Sequence, residues 1–125
     1  MGAKMNVLLE SALITAIFAS TIRGTTPILL AALGEAYAER SGLLNLGIEG
    51  MMVAGAFSSF TVALKMNSLL AGFMCAAVVG LTLGIVFGIL TITLGVNQIV
   101  VGLGLTIFAN SMCSFLHRVI FGNQF

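Results

Sequence analysis

The sequence predicts an all-α fold, a multi-pass transmembrane helical bundle of about four to five spans, and three observations carry that prediction. Hydrophobic residues make up 59% of the 125 residues and charged residues only 7%, with a mean hydropathy of +1.17, far from the composition of a soluble domain. The apolar residues also come in long runs, each near the roughly 20 residues that a helix needs to cross about 30 Å of hydrocarbon. Finally, no β-barrel alternation is present, and lipid admits only helices and closed barrels. The chain reads as one transmembrane domain over residues 1–125, with no room for a soluble catalytic domain.

The first apolar region runs from Val7 to Leu33 and is interrupted by Arg23, Gly24 and Pro27. At 1.5 Å per residue it covers about 40 Å, which suits one tilted or kinked span, or a full span followed by a half helix from near Thr26. Lys4 followed by an apolar run imitates a signal peptide, but Glu10 interrupts it and no small-residue cleavage site follows, so it belongs to a mature span. The second region runs from Leu46 to Leu64 and closes at Lys65. The third, Ser68 to Val96, is free of charge. After a polar turn at Asn97 and Gln98, a fourth runs from Ile99 to Leu116 and is closed by His117 and Arg118. Because basic residues favour the cytoplasmic side, four spans with the N-terminus inside place Lys4, Lys65 and Arg118 in the cytoplasm. Asn97 and Gln98 then lie outside, with Glu35, Glu39 and Arg40 at the outer surface. One and a half helices in the first region would invert this.

In the third region Gly72, Ala76, Gly80, Gly84 and Gly88 recur every four residues, a slowly drifting small-residue stripe of the kind that lets helices pack closely in lipid. Met51, Met52, Phe57 and Phe60 read as core or lipid-facing filler. Cys75 and Cys113 each sit inside an apolar run with no His or acidic residue at ligand spacing, which fits small buried residues and not a metal site. The net charge of +1 is scattered along the chain, so no basic face for nucleic acid exists.

The polar exception is Gly34 to Gly50, "GEAYAERSGLLNLGIEG", with three of the four acidic residues. An ionisable residue at membrane depth costs about 2.5–3.5 kcal/mol on insertion scales, so such residues face a partner, a cavity or a pathway. Glu35 and Glu39 stand four apart and repel on a regular helix unless Arg40 or Arg23 neutralises them. Gly42 after Ser41 suits a helix end or a turn. Glu49 lies where the second apolar run has already begun, flanked by Gly47 and Gly50, with Asn45 four residues before it. Three readings are open here: a hydrophilic surface loop over Glu35–Gly42, a broken helix lining a path through the bundle, and a proton-carrying carboxylate.

The run "TPILLAALGEAYAERSGLLNLGIEGMMVAGAF", Thr26 to Phe57, resembles the N-terminal part of permease subunits of bacterial ABC importers, in the family that includes ribose and branched-chain amino acid permeases. Its nucleoside and simple-sugar branch has an "ERSG…NLG.EGMM..GA" signature similar to Glu39–Ala56, and "VNQIVVGLGLTIFANSMCSFL", Val96 to Leu116, resembles a later helix of that branch. The resemblance implies a non-enzymatic permease component of an ATP-driven importer for a small polar solute, a nucleoside or simple sugar, in the bacterial cell membrane. It implies as partners a second permease subunit, cytoplasmic ATPase subunits that bind the ATP, and an extracytoplasmic solute-binding protein. No cofactor is bound by the chain itself. Glu39, Arg40, Asn45 and Glu49 are the matched positions expected to line the path or hold a helix break. Such permeases are much longer and carry a charged ATPase-docking loop, whereas Met66 to Leu116 holds no charged residue. The chain is therefore expected to be the N-terminal fragment of a longer permease, or a truncated remnant. The alternative is a small homodimeric, proton-coupled multi-pass exchanger using Glu49, with Glu10 as a poorer candidate; a membrane scaffold is a third.

Overall fold

The structure is a computed structural model that describes the backbone of residues 2–122 and the side chains of residues 10–122. It contains four α-helices, α1 (Gly2–Arg40), α2 (Ile48–Met66), α3 (Leu69–Gly88) and α4 (Gln98–Phe121), with a π-helical turn, Ile89–Thr93, continuing α3. The protein is an all-α, multi-pass membrane protein. Three of its helical segments, Glu10–Arg40, Leu69–Thr93 and Gln98–Phe121, are long and apolar enough to cross a bilayer. The 19-residue α2 falls outside that set. It carries Glu49, Lys65 and several hydroxyl residues, and it is the helix that both α3 and α4 pack against.

The chain divides into two compact units, residues up to Ala36 and residues from Tyr37 onward. The first is a single helix. Of the two possibilities open for this region the structure takes the single helix: α1 continues without a break through Arg23, Gly24 and Pro27, so there is no separate half helix. Proline removes one N–H from the ladder, a loss that transmembrane helices tolerate. The helix also turns its hydroxyls inward, with Thr15, Thr21 and Thr26 donating to the carbonyls of Ser11, Ile17 and Ile22 at 2.7–2.8 Å. Its apolar residues from Leu13 to Leu33 are exposed, and they cover about 30 Å of helix, the depth of a hydrocarbon core.

In the second unit, α2 and α3 form an antiparallel hairpin across Asn67 and Ser68. Asn67 takes a left-handed conformation (φ 52°) and Ser68 caps α3 by accepting from the Ala71 N–H at 3.4 Å. Gly72 of α3 meets Ser59 and Ala63 of α2, and Ala76 meets Gly55. Gly80, Gly84 and Gly88 have open space where a Cβ would stand. A four-residue repeat rotates about 40° per step on a 3.6-residue helix, so the stripe that begins against α2 turns away from it.

The π-helical turn closes with the Leu94 N–H donating to the Ile89 carbonyl at 3.1 Å. Gly95 (φ 66°) then reverses the chain, the Val96 N–H returns to the Leu90 carbonyl, and Asn97 caps α4 by accepting from the Ile99 N–H at 2.9 Å. Helix α4 runs parallel to α2, as Gly50 lies on Thr106 and the Phe60 ring lies 6.0 Å from that of Phe121. Among the described residues the buried hydrophobic ones are Phe87, Val101 and Ala109, and the buried Thr91 follows one turn after Phe87.

Candidate functional site

The segment that separates α1 from α2 begins with Ser41 and Gly42. The Leu43 N–H returns to the Ala38 carbonyl at 3.0 Å and the Gly42 N–H to the Glu39 carbonyl at 2.9 Å, with Gly42 left-handed at φ 80°. This paired closure is a Schellman end, as the Ser41–Gly42 pair suggested. The helix reaches Arg40 before it ends. Glu35 and Glu39 are therefore helical and not part of a surface loop; at the end of α1 Arg40 adds the positive charge that a helix C-terminus favours.

From Ser41 to Gly47 the backbone is irregular, and three of its polar groups are met by side chains of α4. Gln98 reaches across with its side-chain amide. Its Oε1 accepts from the Leu44 N–H at 2.7 Å while its Nε2 donates to the Gly42 carbonyl at 3.4 Å. The Thr106 hydroxyl donates to the Leu46 carbonyl at 3.3 Å and to the Gly102 carbonyl of its own helix at 3.1 Å. Asn45, half-buried, accepts from the Gly47 N–H through Oδ1 at 3.0 Å, and its Nδ2 lies 3.7 Å from the Met51 sulfur. Asn45 and Glu49 thus do not share a helix face, because α2 starts only at Ile48.

Two glycine contacts seat the segment on α4. A Cβ on Gly102 would lie 2.9 Å from the Gly47 nitrogen, and one on Gly50 would lie 2.6 Å from the Thr106 Cα. The two backbones touch there, leaving no volume for any side chain. Glu49, between the two glycines, is exposed in the first turn of α2, where a carboxylate complements the helix dipole. Glu39 and Arg40 are also exposed. Of the four predicted residues, Asn45 is built into the seam by its contacts with Gly47 and Met51; Glu39, Arg40 and Glu49 flank it. Gln98, Gly102 and Thr106 are the seam residues that sequence reasoning missed.

Beside the Gln98 clamp lies a cleft of about 370 Å³ lined by Leu44, Thr91, Gly95, Asn97 and Gln98, among others. Thr91 donates its hydroxyl to the Phe87 carbonyl at 2.8 Å. A π-helical turn, a frequent mark of functional irregularity, forms one wall. The site thus consists of amides, hydroxyls and irregular backbone, a neutral set of hydrogen-bond donors and acceptors.

Residues 17–125 match the family described as branched-chain amino acid transport system / permease component. The chain belongs to that family. Over 96 residues, 77% of this chain, it is 38% identical to a protein of Haloferax volcanii named as a glucose ABC transporter permease. It is 28% identical over 116 residues to a guanosine ABC transporter permease of Bacillus subtilis, and 28% identical over 111 residues to a nucleoside ABC transporter permease of Lactococcus lactis. These alignments cover 88% and 84% of this chain. The chain spans only 29%, 36% and 35% of the lengths of those three relatives. No solved structure matches it at a significant level.

Proposed function

We propose that this chain forms part of the permease of an ATP-driven importer for a small polar solute, a nucleoside or simple sugar, in a bacterial cell membrane. The observation that carries the reading is the family match over residues 17–125. The names of the relatives, glucose, guanosine and nucleoside permeases, favour that class of solute. In this reading the chain is the front part of a longer permease and one transmembrane domain. It works beside a second permease subunit, receives solute from an extracytoplasmic binding protein, and is driven by cytoplasmic ATPase subunits that bind the ATP. The chain itself catalyses nothing and holds no cofactor.

The geometry suits alternating access. A broken segment held by side-chain amides and hydroxyls can exchange partners between two bundle arrangements, whose populations shift with the affinities of the partners for each. Irregular backbone of this kind is tolerated at membrane depth where it lies on protein or lines a cavity. The adjoining cleft of about 370 Å³ has the size of a small-ligand pocket.

The test is uptake of labelled guanosine and glucose by vesicles containing the complete permease, its ATPases and its binding protein. ATP-dependent uptake that falls in Asn45→Ala and Glu49→Ala, with assembly unchanged, is the expected result. Normal uptake and assembly in both variants would remove these residues from the mechanism. Efflux driven by a pH gradient in vesicles holding this chain alone would favour the small exchanger instead.

A further inference from the structure

The ends of the second unit differ in charge. Its acidic residues, Glu39 and Glu49, lie at the end where α2 and α4 begin, together with Arg40. Where those helices finish stand Lys65, His117 and Arg118, with no carboxylate from residues 37–122 at that end. Arg118 comes 20 residues after Gln98, about 30 Å along α4, the thickness of a hydrocarbon core. That spacing would bring it to the far boundary of a bilayer crossed by α4, where an arginine side chain reaches the headgroup region.

Beneath Arg118 a cleft of about 550 Å³ opens between α2 and α4. Val53, Ala56, Phe57 and Cys113 give it an apolar floor, and Ser114, His117 and Arg118 line its polar side. Ser114 and Arg118 are four residues apart and share one face of α4. The His117 ring packs against that of Phe121, centroids 5.2 Å apart, and Phe121 packs on Phe60 of α2.

We propose that this cleft binds one anionic glycerophospholipid, its phosphate held by Arg118 with Ser114 and His117, and an acyl chain lying over Val53 and Phe57. A guanidinium matches phosphate with two parallel hydrogen bonds. The apolar floor offers an acyl chain a surface that a soluble phosphate could not exploit. A lipid that carries a cationic group in its head loses part of the attraction, because that positive charge meets Arg118. The assignment depends on the chain being in a membrane and not on which solute is transported.

The experiment is native mass spectrometry of the 125-residue chain released from micelles doped with equal amounts of phosphatidylglycerol and phosphatidylcholine with the same acyl chains. One retained phosphatidylglycerol, favoured over phosphatidylcholine and undisturbed by excess inorganic phosphate, is expected. Arg118→Gln should lower the preference about five-fold, the usual effect of one basic side chain near an anionic lipid. Lys65→Gln, at the same end but outside the cleft, should leave the preference intact, while Val53→Trp, which fills the floor, should lower retention. Circular dichroism checks that each variant remains helical. Equal loss in Lys65→Gln and Arg118→Gln would mean diffuse surface charge and overturn the proposal. So would undiminished binding in Val53→Trp, or displacement by inorganic phosphate.

Discussion

Replacing Gly50 by alanine tests the backbone contact between α2 and α4 directly. The added methyl carbon would stand 2.6 Å from the Thr106 Cα and 3.1 Å from both the Leu105 carbonyl oxygen and the Thr106 nitrogen. Favourable carbon–carbon contact begins near 3.5 Å, so the helices must separate by about 0.9 Å, a gap that forfeits a quarter to a half of each neighbouring dispersion contact. None of the obstructing atoms belongs to a side chain that could rotate away. Overpacking of this kind costs about 1–3 kcal/mol, against a gain of up to about 1 kcal/mol because alanine favours the helix over glycine. Gly80→Ala is the matched control: it receives the same propensity gain, and its methyl meets open space. Thermal unfolding in detergent, followed by helical circular dichroism, should place Gly50→Ala below Gly80→Ala by the overpacking term of about 1–3 kcal/mol. Equal stability of the two variants, or a higher melting temperature for Gly50→Ala, would refute the close approach of α2 and α4.

Gln98→Leu removes both hydrogen bonds that pin the segment after α1, and amide exchange at Leu44 should accelerate about tenfold for a loss near 1.5 kcal/mol. Gly42→Ala forces a Cβ into the left-handed region at φ 80° and should destabilise the end of α1 by about 1 kcal/mol, read as faster exchange at the Leu43 amide. Gly42→Asn should fall between alanine and the native residue. Thr106→Val keeps the shape against Gly50 but loses the hydroxyl that serves Leu46 and Gly102, lowering stability by about 1 kcal/mol in the same melting assay.

Features decided within one turn of chain were legible in the sequence. Ser41–Gly42 announced a helix end, Lys65 announced the end of α2 at Met66, and the polar pair Asn97–Gln98 announced the start of α4, whereas α4 runs on past His117 and Arg118 to Phe121. The surface-loop reading of Glu35–Gly42 fails for Glu35 and Glu39, because charged residues remain good helix formers and α1 runs to Arg40. The pairing of Gln98 with Gly42 and Leu44 joins residues 54 and 56 apart, and nothing local distinguishes that glutamine from one facing water. Gly50 and Gly80 likewise look alike as glycines in apolar runs. Only the rotation of each helix decides which one touches a neighbouring backbone. The small-residue stripe shows the same limit, since its period is readable but the point where it leaves α2 depends on where α2 lies.

The Schellman closure of α1 uses bonds that span at most five residues, from Ala38 to Leu43. It can form as soon as those residues leave the ribosome. The seating of the next segment cannot, because Gln98, Gly102 and Thr106 are synthesised more than 50 residues after Leu44, an interval of about 3–10 s at 5–20 residues per second. Throughout that interval the Gly42 carbonyl and the Leu44 N–H have no Gln98 to meet. The growing chain must therefore keep Ser41–Gly47 where water or the insertion machinery can solvate it, and bury it only when α4 arrives.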